Sequence, residues 1–301
     1  MEYGAHLPLI DFDGRGWQAG EVASYARAAQ QLGFRALASN DHLVFQRPWL
    51  DGIVALASVV EASGDLTLAT TVSLPVVRGP AALAKAAAAL DLLSGGRLAL
   101  GVGPGSSRAD YALAGVDFEE RWPLFDQAVR SLRGHLGRDD DGVTQVLEPR
   151  PTRHGGPPIW IGSWGSDAGL RRVARLGDGW LASAYNTTPE QVTAGCEKLT
   201  TALARYDRAG ERLDCVLATM WTQVTDDPRE RDDALARLAA MLNRPPDELA
   251  RQLPIGTPDA CAEILRRYTA AGVDLVCVWP LTEPERQLER FMQEVVPLIS
   301  P

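Results

Sequence analysis

Short apolar runs alternate along this chain with longer stretches in which apolar positions recur at helical spacing. The short runs are Tyr3–Leu7, Ala36–Ser39, Thr67–Ser73, Leu98–Val102, Ile159–Gly162, Gly179–Ala182, Cys215–Val224 and Leu275–Trp279. Most carry few charges, as strands covered on both faces do. Between them the spacing predicts helices over Glu21–Leu32, Leu50–Ala62, Pro80–Leu93, Arg121–Leu136, Asp167–Leu176, Pro189–Arg208, Pro228–Leu242 and Pro258–Ala271, and a last one over Glu285–Ile299. Pro80 and Pro189 suit a first helical position, where a missing N–H costs nothing. Gly33, Gly177, Gly210 and Gly272 follow helical runs, where a C-cap favours positive φ.

Strands alternating with helices eight times over predict an α/β fold of the (β/α)8, or TIM, barrel type; a Rossmann-like open sheet is the alternative. A length of 301 residues fits one barrel domain over 1–301. Gly137–Pro158 and Leu242–Thr257 interrupt the rhythm and read as irregular surface insertions, on which substrate specificity should depend together with the fourth strand-end loop.

Composition narrows the function classes. The chain is 46% hydrophobic and carries a net charge of −9, which disfavours a nucleic-acid or anionic-membrane surface. No run approaches a membrane span, and the N-terminus lacks the basic region of a signal peptide. The four cysteines are widely spaced, as buried thiols of a reducing compartment are, so a cytoplasmic protein is expected. No metal cluster, P-loop or nucleophile elbow is present, and Asp139–Asp141 reads as a solvated loop.

In a barrel, chemistry sits at the C-terminal strand ends. His42 is the best acid/base candidate there, because imidazole titrates near neutrality and the adjacent Asp41 could fix its tautomer. A capped turn is the plain alternative. His6 reads better as a buried histidine satisfied by its neighbours. Gly162-Ser163-Trp164-Gly165-Ser166 leads into a helix, whose N-terminal N–H groups suit a phosphate; an ordinary cap by Ser166 is the alternative. The loop Gly101–Ser107, GVGPGSS, fits a dinucleotide fingerprint poorly, since Pro104 interrupts it and no helix follows promptly. Its glycines suit a backbone lying against a flat ligand. Trp164, Trp221 and Trp279 could wall an aromatic pocket, and Arg47, Arg78 and Arg108 could form a basic rim.

Residues 94–105 (SGGRLALGVGPG), Asp110-Tyr111 and residues 115–121 (GVDFEER) resemble the signature of the luciferase-like flavin and deazaflavin oxidoreductases. The segments SNDHLVF, LDGIVALASVV, PPIWIGSWGSDAGLRRVARLGDGW and GTPDACAEILRRYTAAGVDL resemble other parts of that family, in order. The resemblance implies a TIM barrel, often a homodimer, that binds coenzyme F420 and moves a hydride to or from a small organic substrate. A reduced-FMN monooxygenase and a non-catalytic flavin-binding barrel are the alternatives. It implies His42 as acid/base or positioning group, Asp41 near the cofactor, and Val102 and Gly103 along it. It also implies Ser163, Trp164, Gly165 and Ser166 at the phosphate, and a non-prolyl cis peptide at Ser73-Leu74 against the ring. One departure stands out: deazaflavin-dependent sugar-phosphate dehydrogenases of the family carry a glutamate in the strand 4 loop as proton donor. Pro104 looks to stand there and cannot transfer a proton, so a second acid or base must come from elsewhere.

Overall fold

The computed structural model describes residues 1–138 and 145–299; Asp139–Asp141 lie outside the described residues. Eight parallel strands close into a barrel: β1 (Glu2–His6), β2 (Ala36–Ser39), β3 (Thr67–Ser73), β4 (Leu98–Val102), β5 (Ile159–Gly162), β6 (Gly179–Ser183), β7 (Asp214–Val224) and β9 (Leu275–Pro280). Each pairs with the next, β7 with β9, and β9 with β1, so no edge remains. The open-sheet alternative is thereby set aside. A two-residue strand, β8 (Ile255–Gly256), extends the far end of β7.

The helices are α1 (Glu21–Gln31), α2 (Gly52–Ser58), α3 (Pro75–Arg78), α4 (Pro80–Leu93), α5 (Arg108–Leu113), α6 (Arg121–His135), α7 (Asp167–Leu176), α8 (Pro189–Ala204), α9 (Pro228–Leu242), α10 (Pro246–Gln252), α11 (Pro258–Ala270), α12 (Pro284–Arg290) and α13 (Val296–Ile299). Several starts have a visible cause. Ser166 and Thr257 each accept a backbone N–H three residues on, and Thr188 and Gln191 form a capping box. Four expectations need correction. Helix α2 starts at Gly52 because the Asp51 carboxylate caps it, and it ends at Ser58. A helix does follow the glycine loop, since Ser107 caps α5. Leu242–Thr257 is not irregular, because it holds α10 and β8. Gly177 has φ −105°, and its missing Cβ instead makes room for Ile161 Cγ1, which would lie 2.8 Å away.

The core has two layers. Large aliphatic residues fill the space between strands and outer helices, whereas the lumen takes small ones: Ala36, Ala38, Ala69 and Ala99, closed by Trp160. Close approach explains Gly101, where a Cβ would overlap the Thr70 carbonyl. At the C-terminus α12 runs through a π-helical turn, Phe291–Val295, that sets Phe291 against Tyr3 at 5.3 Å.

The segment before β5 packs on the N-terminal face. Thr152 N–H donates to the buried Asp91 at 2.8 Å, Arg153 to Gly96 O at 2.5 Å, and Arg138 to Asp178 at 3.0 Å. Gly96 and Asp178 precede β4 and β6, so the described part of Gly137–Pro158 lies away from the strand-end loops and not beside them.

Candidate active site

The C-terminal strand ends surround a cleft of about 340 Å³. Two strands deform to shape its floor. The pairing of β3 with β4 slips between Thr70 and Ser73, and that of β7 with β9 between Leu217 and Met220. These irregularities turn Thr71-Val72 and Ala218-Thr219 towards the cleft. The non-prolyl cis peptide is Thr71–Val72, two residues before the expected Ser73–Leu74.

His42 stands on the wall after β2, partly exposed. Its Nδ1 lies 2.8 Å from Asp110 Oδ2, and Asp110 Oδ1 accepts the N–H groups of Leu43 (3.1 Å) and Val44 (2.7 Å). Asp110 sits in the first turn of α5, where the helix dipole favours a carboxylate. Burial alone would raise its pKa, but the hydrogen bonds from His42 and Val44 hold the carboxyl below its ordinary value. An ionised Asp110 keeps the proton on Nδ1, and Nε2 is then the basic nitrogen available to the cleft. The expected tautomer-fixing partner, Asp41, is not the one the fold supplies.

Asp41 is instead bound to Arg78, which donates Nε–H at 2.5 Å and Nη2–H at 2.7 Å to its two oxygens. Arg78 also meets Asp51 at 2.5 Å, so one guanidinium ties α3 to the β2 loop and to the cap of α2. These hydrogen bonds raise the Arg78 pKa beyond its already high value. The expected basic rim is therefore not formed as such. Arg78 is half-buried and held by Asp41 and Asp51, while Arg108 is exposed and pairs with Glu119 at 2.5 Å. The guanidinium that lines the cleft is Arg121, 4.0 Å from the Phe118 ring centre, a residue the sequence reading did not single out.

Opposite the bulge of β3 the backbone is bare. A Cβ on Gly103 would meet Val72 Cγ2 at 3.0 Å, and one on Gly162 would meet Val102 O at 3.2 Å. A Cβ on Gly169, in the first turn of α7, would overlap Ser163 Oγ. These three glycines let the strand-end backbone and the first turn of α7 pack directly against Val72, Val102 and Ser163 along the cleft. At its end Ser163 Oγ accepts Gly165 N–H and Ser166 Oγ accepts Gly169 N–H, both at 3.2 Å. Each serine oxygen is thus fixed with its own hydrogen left to donate. That geometry, with the positive end of α7 and Arg121, fits a phosphate. Asp167, in the first turn, opposes it, but Lys198 pairs with that carboxylate at 2.8 Å.

The cleft thus gathers His42, Asp41, Leu74, Gly103, Ser163, Trp164 and Ser166 from the predicted set. It does not gather the rest. Ser73 is buried, Val102 is packed into the layer facing the helices, and Gly165 lies against Trp180. The tryptophans do not share one wall either. Trp164 is 58% exposed on the rim, while Trp221 and Trp279 stack at 4.0 Å beneath the mouth. Trp279 lies against His6 at 3.4 Å, and Trp49 bridges it to His42. His6 is completely buried, and burial lowers its pKa to about 3 although its hydrogen bond to Leu7 O opposes the shift. Contrary to expectation it is only half satisfied, since Nε2 has no partner. Among the described residues no group of side chains could hold a metal ion, and no helix is long and apolar enough to cross a membrane.

Comparison with known proteins agrees with this architecture. A family model described as luciferase-like monooxygenase matches residues 11–240. The chain is 27% identical over 324 residues to an F420-dependent glucose-6-phosphate dehydrogenase of Kribbella flavida, covering 93% of this chain and 94% of that one. Among solved structures it resembles an F420-dependent secondary alcohol dehydrogenase bound to an F420-acetone adduct (TM-score 0.84, 17% identity, 100% and 99% of the two chains). It resembles the monooxygenase RslO1 of Streptomyces bottropensis similarly (TM-score 0.83, 20% identity, 100% of both). Both structural likenesses establish the barrel fold.

Proposed function

The chain belongs to the luciferase-like monooxygenase family, and from that premise we propose that it is an oxidoreductase using the deazaflavin coenzyme F420 on a small organic substrate. The carrying observation is the His42–Asp110 pair at a cleft that is also lined by Val72, Gly103, Ser163, Ser166 and Arg121. When bound, the deazaflavin supplies or accepts the hydride at its C5 carbon. Val72 and Gly103 would flank its ring, and Ser163, Ser166 and Arg121 would hold its phosphate.

The remaining chemistry belongs to the chain. Nε2 of His42 takes the hydroxyl proton as an alcohol is oxidised, or returns it as a carbonyl is reduced. Asp110 stabilises the imidazolium that forms and keeps the ring in the productive tautomer. Trp49 and Phe45, 4.8 and 5.2 Å from the imidazole, limit water around it. Glucose 6-phosphate is not carried over from the relative, because Pro104 brings no acid to the strand 4 loop. The family's description as luciferase-like monooxygenase supports a second reading, a monooxygenase using reduced FMN.

Fluorescence titration with coenzyme F420 and with FMN decides between them. F420 should bind at least about tenfold tighter, a difference near 1.4 kcal/mol. Tighter FMN binding would favour the second reading, and saturation by neither would remove both. Tight binding without turnover over a broad substrate panel would favour a non-catalytic barrel. Ser166→Ala should weaken F420 and also remove the cap of α7, at about 1 kcal/mol of stability.

A further inference from the structure

The cleft has a second polar wall, which the His42 chemistry leaves unused. It is built at the ends of β6 and β7. In the barrel order, four strand steps separate β2 from β6 in either direction, so this wall faces His42 across the mouth. Ser183, Tyr185 and Thr219 line it. Thr219 has φ +54°, in the left-handed region that β-branched residues rarely enter, and it occupies the bulge of β7. Backbone outliers of this kind gather at ligand sites.

The hydrogen bonds of this wall have a fixed direction. Thr219 Oγ1–H donates to Ala218 O at 2.7 Å, so the 2.9 Å contact between Ser183 and Thr219 must use the Ser183 hydrogen. Asn186 Nδ2–H donates to Ser183 Oγ at 3.1 Å, and Arg244 donates to Asn186 Oδ1 at 2.6 Å. Both hydroxyl hydrogens are therefore committed within the protein. Tyr185 lines the cleft beside them, its phenol interacting with the Asn186 and Ser183 side chains, and with both neighbouring hydroxyl hydrogens committed its own O–H is the donor that remains. Burial raises its pKa, against the opposing influence of Asn186, Arg244 and Ser183, so it stays protonated near neutral pH.

Its loop is held from below. Tyr268, fully buried, donates to both Ala184 O (3.2 Å) and Thr187 O (3.0 Å), the carbonyls on either side of Tyr185 and Asn186. Ala184 N–H also donates to Ala218 O at 2.9 Å. A donor on a pinned loop is prearranged for recognition.

We propose that Tyr185 is a positioning and specificity-determining residue whose O–H binds a second oxygen of the substrate. The substrate class is then a small molecule with two oxygen functions at opposite ends, one presented to His42 and the other to Tyr185. This rests on the oxidoreductase reading for taking the cleft as the substrate chamber.

Three probes test it by calorimetric titration: cyclohexanol, cyclohexane-1,2-diol and cyclohexane-1,4-diol. They are measured on wild type and Tyr185→Phe, each with and without bound F420. The 1,4-diol should bind about tenfold tighter than cyclohexanol on the wild type, with the 1,2-diol close to cyclohexanol. Tyr185→Phe should collapse that ratio to near one while F420 affinity stays unchanged. Because the ratio is taken within one variant, a merely destabilised protein would not alter it. No measurable binding of the 1,4-diol, no preference for it, or a preference that survives in Tyr185→Phe would each overturn the proposal. Failure of F420 to bind would instead remove the F420-dependent reading, and the cofactor-free titrations would still decide the role of Tyr185.

Discussion

His42 and His6 stand just beyond β2 and at the end of β1, on adjacent strands, yet the fold gives them opposite chemistry. His42 is partly exposed and spends Nδ1 on the ionised Asp110. His6 is fully buried, lies against Trp279, and spends Nδ1 on the carbonyl of Leu7. The first environment sets an ionised carboxylate against the ring and leaves the side chain at the cleft. The second disfavours an imidazolium, because burial takes the charge out of water and the Leu7 carbonyl compensates only in part. A strand-end position therefore does not make a histidine catalytic; a carboxylate partner and access to the cleft do.

Removing the base tests the contrast most strongly. His42→Ala should lower kcat/KM by about 10²–10⁴-fold, and Asp110→Asn by about 10–100-fold, while F420 affinity changes little. His6→Leu should stay within severalfold of wild type. Steady-state rates on the first substrate turned over by the loaded protein measure this, and equal losses at both histidines would erase the distinction.

The two carboxylates near His42 provide the next test. Asp41 is its neighbour in sequence and Asp110 its neighbour in space. Arg78→Met strands Asp41 and should destabilise the fold by about 3 kcal/mol in urea denaturation, with the pH profile of turnover unmoved. Asp110→Asn should shift that profile. A shift in Arg78→Met instead would reassign the pairing.

The smallest effect is an acid slope read only down to pH 5, where it amounts to about 2 kcal/mol. His6 titrates near 3 when folded and near 6.5 when unfolded. Below pH 6.5 the unfolded chain takes up a proton that the folded one refuses. Stability should therefore fall by about 1.4 kcal/mol per pH unit as acid is added, until the folded pKa is reached. His6→Leu should flatten that limb. Asp110, with its carboxyl held low, contributes stability that is present above the unfolded carboxylate range and lost as pH falls through its folded pKa. Its window is more acidic, so urea midpoints between neutrality and pH 5 isolate His6.

Much of the framework was legible because its causes are local. The bounds of β2 to β5, α4, α7 and α9 agree with the pattern of apolar residues, prolines and caps. The short helices α3, α5 and α10 escaped notice because none exceeds seven residues, too few for a helical period to repeat. Within the site, Ser163, Ser166 and Gly103 could be anticipated from small residues at strand ends. Asp110 belongs to the family signature, but its role is hidden in the sequence because its contact with His42 spans 68 residues. Arg121 reads as the start of a helix, and Tyr185 lies between the sixth strand and the helix after it, outside any motif.

By itself the sequence determined the alternation of strands and helices, the small-residue loops and the histidine beside the second loop. Those follow from steric period, backbone freedom and capping, which act over a few residues. Closure of the barrel decided the rest. It gave His42 to Asp110 and Asp41 to Arg78, buried His6 under Trp279, and placed Tyr185 and His42 at the same cleft from strands on opposite sides of the ring. The physical reason is that pKa, hydrogen-bond direction and access depend on what lies within a few ångströms, and only the closed ring brings those groups together.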